Sequence, residues 1–251
     1  MGVRVIAAAQ SVSVPGDIDA NIQRHLVFMR AAIEQGVEFL LFPELSLTGY
    51  ERGLACELAI DPADARLQPL HELAHSGGMV TVIGAPIRRA GSVDVLIAAL
   101  VLGVAVEVGV YSKQHLHAGE ELVFKPGEGG DGVQIDTDYL VLAVCADFTH
   151  ASHANAAAQS GATVYAASVL ISADGYVADT RLLASYAAEH GMAVLMANHG
   201  SATGGWISAG RSAFWSGDGI GFGAADGSGD LLLIASRDGD RWVTRIVPIM
   251  V

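Results

Sequence analysis

Short runs of consecutive apolar residues alternate along this chain with longer stretches in which apolar positions recur every three or four residues. Val3 to Ala9 predicts a first buried strand, and Pro15-Gly16 a turn. Ile18, Ile22, Leu26, Met29 and Ile33 then trace one face of a helix that reaches Gly36, with Asp17 as its N-cap. Phe39 to Phe42 predicts a short buried strand stopped by Pro43, which has no amide proton for a ladder. Further on, the pattern predicts a helix over 63–76, a strand over 79–85 ended by Pro86, and an antiparallel hairpin formed by 93–101 and 104–110. Leu140 to Val144 is another buried strand, followed by an Ala-rich helix over 150–160. A strand at 164–167, a helix at 176–190 and a strand at 193–196 add one more unit, and the Gly-rich remainder suggests hairpins and turns. Strand and helix alternating in this way define an α/β protein with layered sheets.

Length and composition narrow the picture. A chain of 251 residues is compatible with a single domain spanning 1–251, and 51% hydrophobic against 16% charged residues supplies a large core and apolar area for a subunit contact. The formal charge of −13 repels phosphate backbones and anionic lipid, so neither nucleic acid nor membrane is an expected partner. The longest apolar stretch, Val95 to Val106, is broken by Gly103 and falls short of the about 18 residues that a span needs. The first ten residues read as a buried strand rather than a signal peptide, and two cysteines, Cys56 and Cys145, suit a reducing compartment, so a cytoplasmic location is expected.

Three reactive residues each follow a strand-like run: Glu44, Lys113 and Cys145. Strand ends are where layered α/β folds gather ligand chemistry. Phe42-Pro43-Glu44-Leu45-Ser46-Leu47-Thr48-Gly49-Tyr50, Tyr111-Ser112-Lys113-Gln114-His115-Leu116 and Val144-Cys145-Ala146-Asp147 resemble, in order and approximate spacing, the three signatures of the nitrilase, or carbon-nitrogen hydrolase, superfamily. The resemblance spans essentially the whole chain. It implies a four-layer αββα sandwich, Glu44 as general base, Lys113 as catalytic lysine, Cys145 as nucleophile, and a homodimer paired across outer helices.

The implied chemistry is self-consistent. A thiol with a pKa of about 8.5 is weakly ionised at neutral pH, so a carboxylate must take its proton as it attacks an amide carbon. Lys113 and the backbone N–H of Ala146 are candidates to stabilise the tetrahedral oxyanion. Tyr50 and Phe148, beside the first and third motifs, are candidate substrate contacts. The superfamily also has a second glutamate after the lysine. Glu120 and Glu121 compete for it; in the superfamily this Glu often stands four positions before an aromatic residue and ahead of Pro-Gly, and since Phe124 and Pro126-Gly127 have that spacing from Glu120, the resemblance implies Glu120. No metal or organic cofactor is called for. The expected substrate is a small amide or N-carbamoyl compound rather than a nitrile, since the nitrile-cleaving branch shows Cys-Trp-Glu where this chain has Cys145-Ala146-Asp147.

Other readings are open at this stage. Phe148-Thr149-His150 departs from the aromatic-Pro sequence that many relatives place after the nucleophile, and a catalytically silent scaffold on the same fold is the alternative. His115, His117, His150 and His153 have spacings a metal could use, although they lack flanking Cys or acidic ligands. Asn198-His199-Gly200 could line a pocket or simply end a strand. Cys56 has no neighbouring base and Asp147 reads as a residue that holds its turn together.

Overall fold

The computed structural model describes residues 4–103, 108–219, 221–238 and 241–251. Among them the strands are β1 (Val5–Gln10), β2 (Phe39–Leu41), β3 (Val80–Ile87), β4 (Leu96–Leu102), β5 (Gly109–Ser112), β6 (Val133–Ile135), β7 (Asp138–Val144), β8 (Val164–Val169), β9 (Ala193–Asn198), β10 (Ala213–Trp215), β11 (Phe222–Ala224), β12 (Leu231–Asp238) and β13 (Arg241–Pro248). The first sheet has the order β13-β12-β1-β2-β3-β4-β5 and the second β11-β10-β9-β8-β7-β6. Helices α1 (Ile18–Glu34), α2 (Ala55–Leu58), α3 (Gln68–Ser76), α4 (Ala151–Gln159) and α5 (Tyr176–His190) complete the chain.

Alternation within each strand decides the layering. Ile6 and Ala8 of β1, Phe39 and Leu41 of β2, and Ile97 and Ala99 of β4 meet Leu140, Leu142 and Val144 of β7, Ala166 of β8 and Leu195 of β9 in one core between the sheets. The opposite faces look outward: Ala7, Ala9, Leu40 and Ile83 pack on Ile22, Leu26 and Met29 of α1 and on Leu70 and Ala74 of α3. Ala143, Tyr165, Ala167 and Val194 pack on Ala154 and Ala157 of α4 and Leu183 and Ala187 of α5. The result is the expected four-layer αββα sandwich.

Most predicted elements stand where the apolar pattern put them. The α1 face is buried at Ile18, Ile22, Leu26 and Met29, and Asp17 accepts the Ala20 N–H at 2.9 Å as N-cap. Two boundaries differ for physical reasons. The helix expected over 63–76 is a 3₁₀ turn at Ala65–Leu67 followed by α3, because Pro69 fits the first turn of a helix and no later position. Pro86 does not end β3, which runs on to Ile87 with Pro86 opposite Ile97 of β4. β2 pairs with β3 only as far as Val82, so beyond that point its side of β3 has no strand partner and a missing N–H breaks no ladder there. The second hairpin strand is seen over Gly109–Ser112; residues 104–107 of the expected segment lie outside the described residues, as does Val3 of the first strand. β6, which pairs antiparallel with β7, has no strong apolar pattern to announce it.

Candidate active site

Glu44 sits in the turn that leaves β2, and this turn is over-determined. Gly84 of β3 lies against it so closely that a Cβ on Gly84 would stand 2.3 Å from the Leu45 nitrogen and 2.5 Å from the Pro43 oxygen. Leu45 adopts a left-handed φ of 53°. Leu47 N–H donates to the Gly84 carbonyl at 2.9 Å, and Gly84 N–H donates to Ser46 Oγ at 3.1 Å. Ser46 Oγ also contacts His25 Nε2 at 2.9 Å, while His25 Nδ1 lies 2.6 Å from the Asn21 carbonyl. A carbonyl only accepts, so Nδ1 carries the proton and Nε2 accepts from the Ser46 hydroxyl. Burial holds His25 down to about 4, which keeps this ring neutral. From the second sheet, Ser168 donates to the Phe42 carbonyl at 2.8 Å and His199 Nε2 donates to the Glu44 carbonyl at 2.7 Å.

Lys113 follows β5 and is fully buried. Its Nζ donates to Glu44 Oε1 at 2.6 Å and to Glu120 Oε1 at 2.9 Å. Glu120 opens a 3₁₀ turn, is fully buried, and also accepts the Tyr50 hydroxyl at 2.6 Å and the His117 N–H at 2.7 Å. Glu121 is exposed and accepts only the nearby Gly119 N–H, at 2.7 Å, so Glu120 is the second carboxylate on Lys113. Burial would lower the Lys113 pKa, but attraction to Glu44, Cys145 and Glu120 outweighs it and holds the ammonium above its ordinary range. Glu44 moves the other way. Burial raises its carboxyl to about 7, against the pull of Lys113 and with added repulsion from Glu120.

Cys145 ends β7 with a φ of 43°, a conformation a side-chain-bearing residue rarely adopts, and begins the 3₁₀ turn Cys145–Thr149 that leads into α4. Asp147 holds this turn and does more than the local role its position suggested. Its Oδ2 accepts the Val144 N–H at 3.0 Å and the Tyr111 hydroxyl at 2.8 Å; its Oδ1 accepts the Gln114 and His115 N–H groups at 3.1 and 2.8 Å. One buried carboxylate therefore ties the cysteine turn of the second sheet to the lysine segment of the first. The Cys145 thiol points to the Leu170 carbonyl at 3.7 Å, and burial together with the Glu44 charge pushes its pKa up, with Lys113 opposing. The resting nucleophile is thus a thiol, and it lines the same cavity as the Glu44 carboxyl.

Glu44 and Cys145 open on a cavity of ≈ 250 Å³ whose wall also includes Tyr50, Ala146 and Phe148, so each candidate named from the motifs reaches the same centre or its lining. The volume corresponds to roughly eight waters at ~30 Å³ each, room for a small molecule and not for a folded peptide. Sequence reasoning weighed His117 only as a metal ligand and missed Asp179 and Trp206; all three line the same cavity. Trp206 carried a faint signal, a tryptophan in a Gly-rich run with no apolar pattern around it; Asp179 looked like any acidic residue on a helix. Asn198 and His199 do not line the cavity. Asn198 clamps Ile171 by accepting its N–H at 2.9 Å and donating to its carbonyl at 3.0 Å, next to Leu170. His115 packs against both His150, stacked at 3.8 Å, and His153, edge-on at 6.3 Å between centroids, yet among the described residues no group of three or more His, Cys, Asp or Glu is arranged to hold a metal ion.

A four-layer sandwich carrying a Cys, Glu and Lys cluster at its strand ends defines a class of hydrolase. The profile of the carbon-nitrogen hydrolase family matches residues 5–244, and the chain belongs to that family. Among solved structures it is similar to an amidase from Nesterenkonia sp., with 28% identity, 94% of this chain and 90% of that chain covered, and a TM-score of 0.83. It is also similar to a Glu-to-Gln variant of the amidase from Nesterenkonia sp. AN1 that shows Michael addition of acrylamide at the active-site cysteine (27% identity, 94% and 93% covered, TM-score 0.83). A Cys-to-Ala variant of that amidase in complex with butyramide matches at 26% identity, 94% and 91% coverage, and a TM-score of 0.82.

Proposed function

We propose that this protein hydrolyses the C–N bond of a small amide or N-carbamoyl compound, through a thioester on Cys145. The observation that carries the reading is the state of the Glu44 carboxyl. Its Oε1 is engaged by Lys113, its Oε2 has no hydrogen-bond partner among the described residues, and it lines the same small cavity as the nucleophile. A buried carboxyl held at about 7 is matched to taking and returning a proton at neutral pH.

In the forward step the thiol proton passes to Glu44 as sulfur attacks the amide carbon. The carbonyl oxygen becomes an oxyanion, and two donors suit it. Lys113 has three N–H bonds, of which two go to Glu44 and Glu120, leaving one. The Ala146 N–H belongs to the first turn of its 3₁₀ segment, where amides have no intrahelical acceptor. Collapse of the intermediate breaks the C–N bond, and Glu44 returns its proton to the departing nitrogen, which leaves as ammonia or an amine. Glu44 then takes a proton from water as the water attacks the thioester, and protonates the sulfur as the acid is released. Glu120 acts as a positioning residue: held by the Tyr50 hydroxyl and the His117 N–H, it fixes where the Lys113 ammonium stands.

The amide adducts and complexes of the Nesterenkonia amidase support an amide substrate here. The whole chain acts in this reading as one catalytic domain, a dimer of identical subunits in the cytoplasm, working without metal or cofactor. Sedimentation at micromolar concentration tests the dimer. The chemistry is tested by ammonia release from a panel of short amides, with quenched samples examined by mass spectrometry. Acyl transfer to Cys145, absent in Cys145→Ala and absent from the exposed Cys56, is expected. Ammonia release at the wild-type rate by Cys145→Ala would sink the mechanism.

A further inference from the structure

Burial grades along the cavity. Glu44 is 1% exposed, whereas Trp206 is 37% exposed, His117 is exposed and Asp179 is half-buried. The reacting end therefore lies at the floor, and Asp179, His117 and Trp206 stand toward the entrance. Asp179 projects from the first turns of α5 and, among the described residues, forms no ion pair with Lys or Arg. Burial raises its carboxyl pKa, and the opposing pull comes from His117, whose ring meets Trp206 edge-on at 5.8 Å between centroids. No lysine or arginine is among the residues that line the cavity, and the chain as a whole carries a formal charge of −13. A half-desolvated carboxylate that lines the same entrance as an indole, with no Lys or Arg paired to it, is complementary to an organic cation: the carboxylate accepts its N–H bonds and the aromatic ring attracts its charge.

Building on the hydrolase reading above, we propose that Asp179 is a specificity-determining residue that selects amides or N-carbamoyl compounds bearing a protonated amine at the end remote from the scissile bond. The amide enters first toward Cys145, and the ammonium rests at the entrance against Asp179 and Trp206. A neutral amide of the same length fits the cavity but leaves the carboxylate without its partner. Anionic amides are repelled by Asp179.

The experiment compares kcat/KM for three straight-chain amides of matched length that end in an ammonium, a methyl or a carboxylate group, in the wild type and in Asp179→Asn and Asp179→Ala. The expected wild-type order is ammonium, then methyl, then carboxylate, with about tenfold between the first two, or ~1.4 kcal/mol. In both variants the ammonium-to-methyl ratio collapses toward one, and in the wild type it shrinks with added salt because the entrance is partly solvated. A wild-type ratio near one overturns the proposal. So does a loss in both variants that is equal for the ammonium and methyl substrates. If the wild type hydrolyses none of the three and no acyl group appears on Cys145, the hydrolase reading fails and this one with it; selective hydrolysis of the methyl amide leaves the first standing and removes the second.

Discussion

Gly84 offers the sharpest test of how the Glu44 turn is held. A Cβ at this position would meet backbone on three sides: the Leu45 nitrogen at 2.3 Å, the Pro43 oxygen at 2.5 Å and the Glu44 carbonyl carbon at 2.9 Å. Such contacts do not occur below 3.0 Å, so in Gly84→Ala the turn has to retreat from β3 by about 0.7 to 1 Å. Overpacking of this kind costs about 1–3 kcal/mol, which lowers Tm by roughly 2–4 °C per kcal/mol in a chain of this size. Retreat also carries the Glu44 carboxyl away from Lys113 Nζ, now at 2.6 Å, and a displacement near 1 Å of a catalytic group costs about 10²-fold in rate. The expected variant is folded, modestly destabilised, and lower in kcat by about two orders of magnitude with KM little changed. Circular dichroism melts and steady-state amide hydrolysis measure the two effects on one preparation. A folded Gly84→Ala protein with wild-type kcat would refute the claim that close backbone contact at Gly84 positions the base.

Other expectations follow from the same geometry. Glu120→Gln should lower kcat/KM by at least tenfold, because it removes a charge from the Lys113 ammonium, while Glu121→Gln stays within about twofold; equal effects would show that the second carboxylate was misassigned. The kcat/KM profile should rise with pH through about 7 as Glu44 gains its working carboxylate form, and a flat profile between pH 5 and 7 would contradict that role. His25 and His199 are both held down to about 4, so the folded state binds fewer protons than the unfolded state between that value and the ordinary 6.5. Their stability contribution is present above pH 6.5 and is lost as pH falls toward 4, on the order of 3 kcal/mol each at the limit. Glu44, with its raised pKa, contributes with the opposite sign, present below about 4.5 and lost as pH rises to about 7. Urea midpoints at pH 7 and pH 4.5 in the Glu44→Gln background remove the opposing Glu44 contribution; equal midpoints would contradict the buried, neutral state of these histidines.

Much of the site was legible because its chemistry sits at strand ends inside dense local motifs. Glu44, Lys113 and Cys145 were identified from their strand-end positions and from motifs that resemble the family's signatures, among them Pro43 before the base, Tyr111 before the lysine and Asp147 two positions past the nucleophile. The choice of Glu120 over Glu121 came from the spacing that relatives show after their lysine, and the structure explains it by turning one carboxyl inward and the other to solvent. What stayed hidden depends on contacts between sheets. Nothing local in His199 reveals that its ring reaches the Glu44 carbonyl, and Asp147 reads as a turn residue until the lysine segment is laid across it. Asp179, on a helix face, acquires meaning only once α5 is packed beside the cysteine turn. Likewise β6 has too little apolar character to be seen without β7.

The place of β1 in its sheet bears on how this protein must be made. β1 has β2 on one side and β12 on the other, and Ala7, Ala8 and Ala9 along it are fully buried. Its β2 partner emerges from the ribosome soon after it, but the strand that closes its other edge is not synthesised until Leu231–Asp238. From the synthesis of β1 until that of β12 the nascent chain therefore presents an unpaired, uncharged β edge, the kind of template on which chains associate wrongly. Slowing elongation between β2 and β12 should therefore lower soluble yield without touching a single catalytic residue.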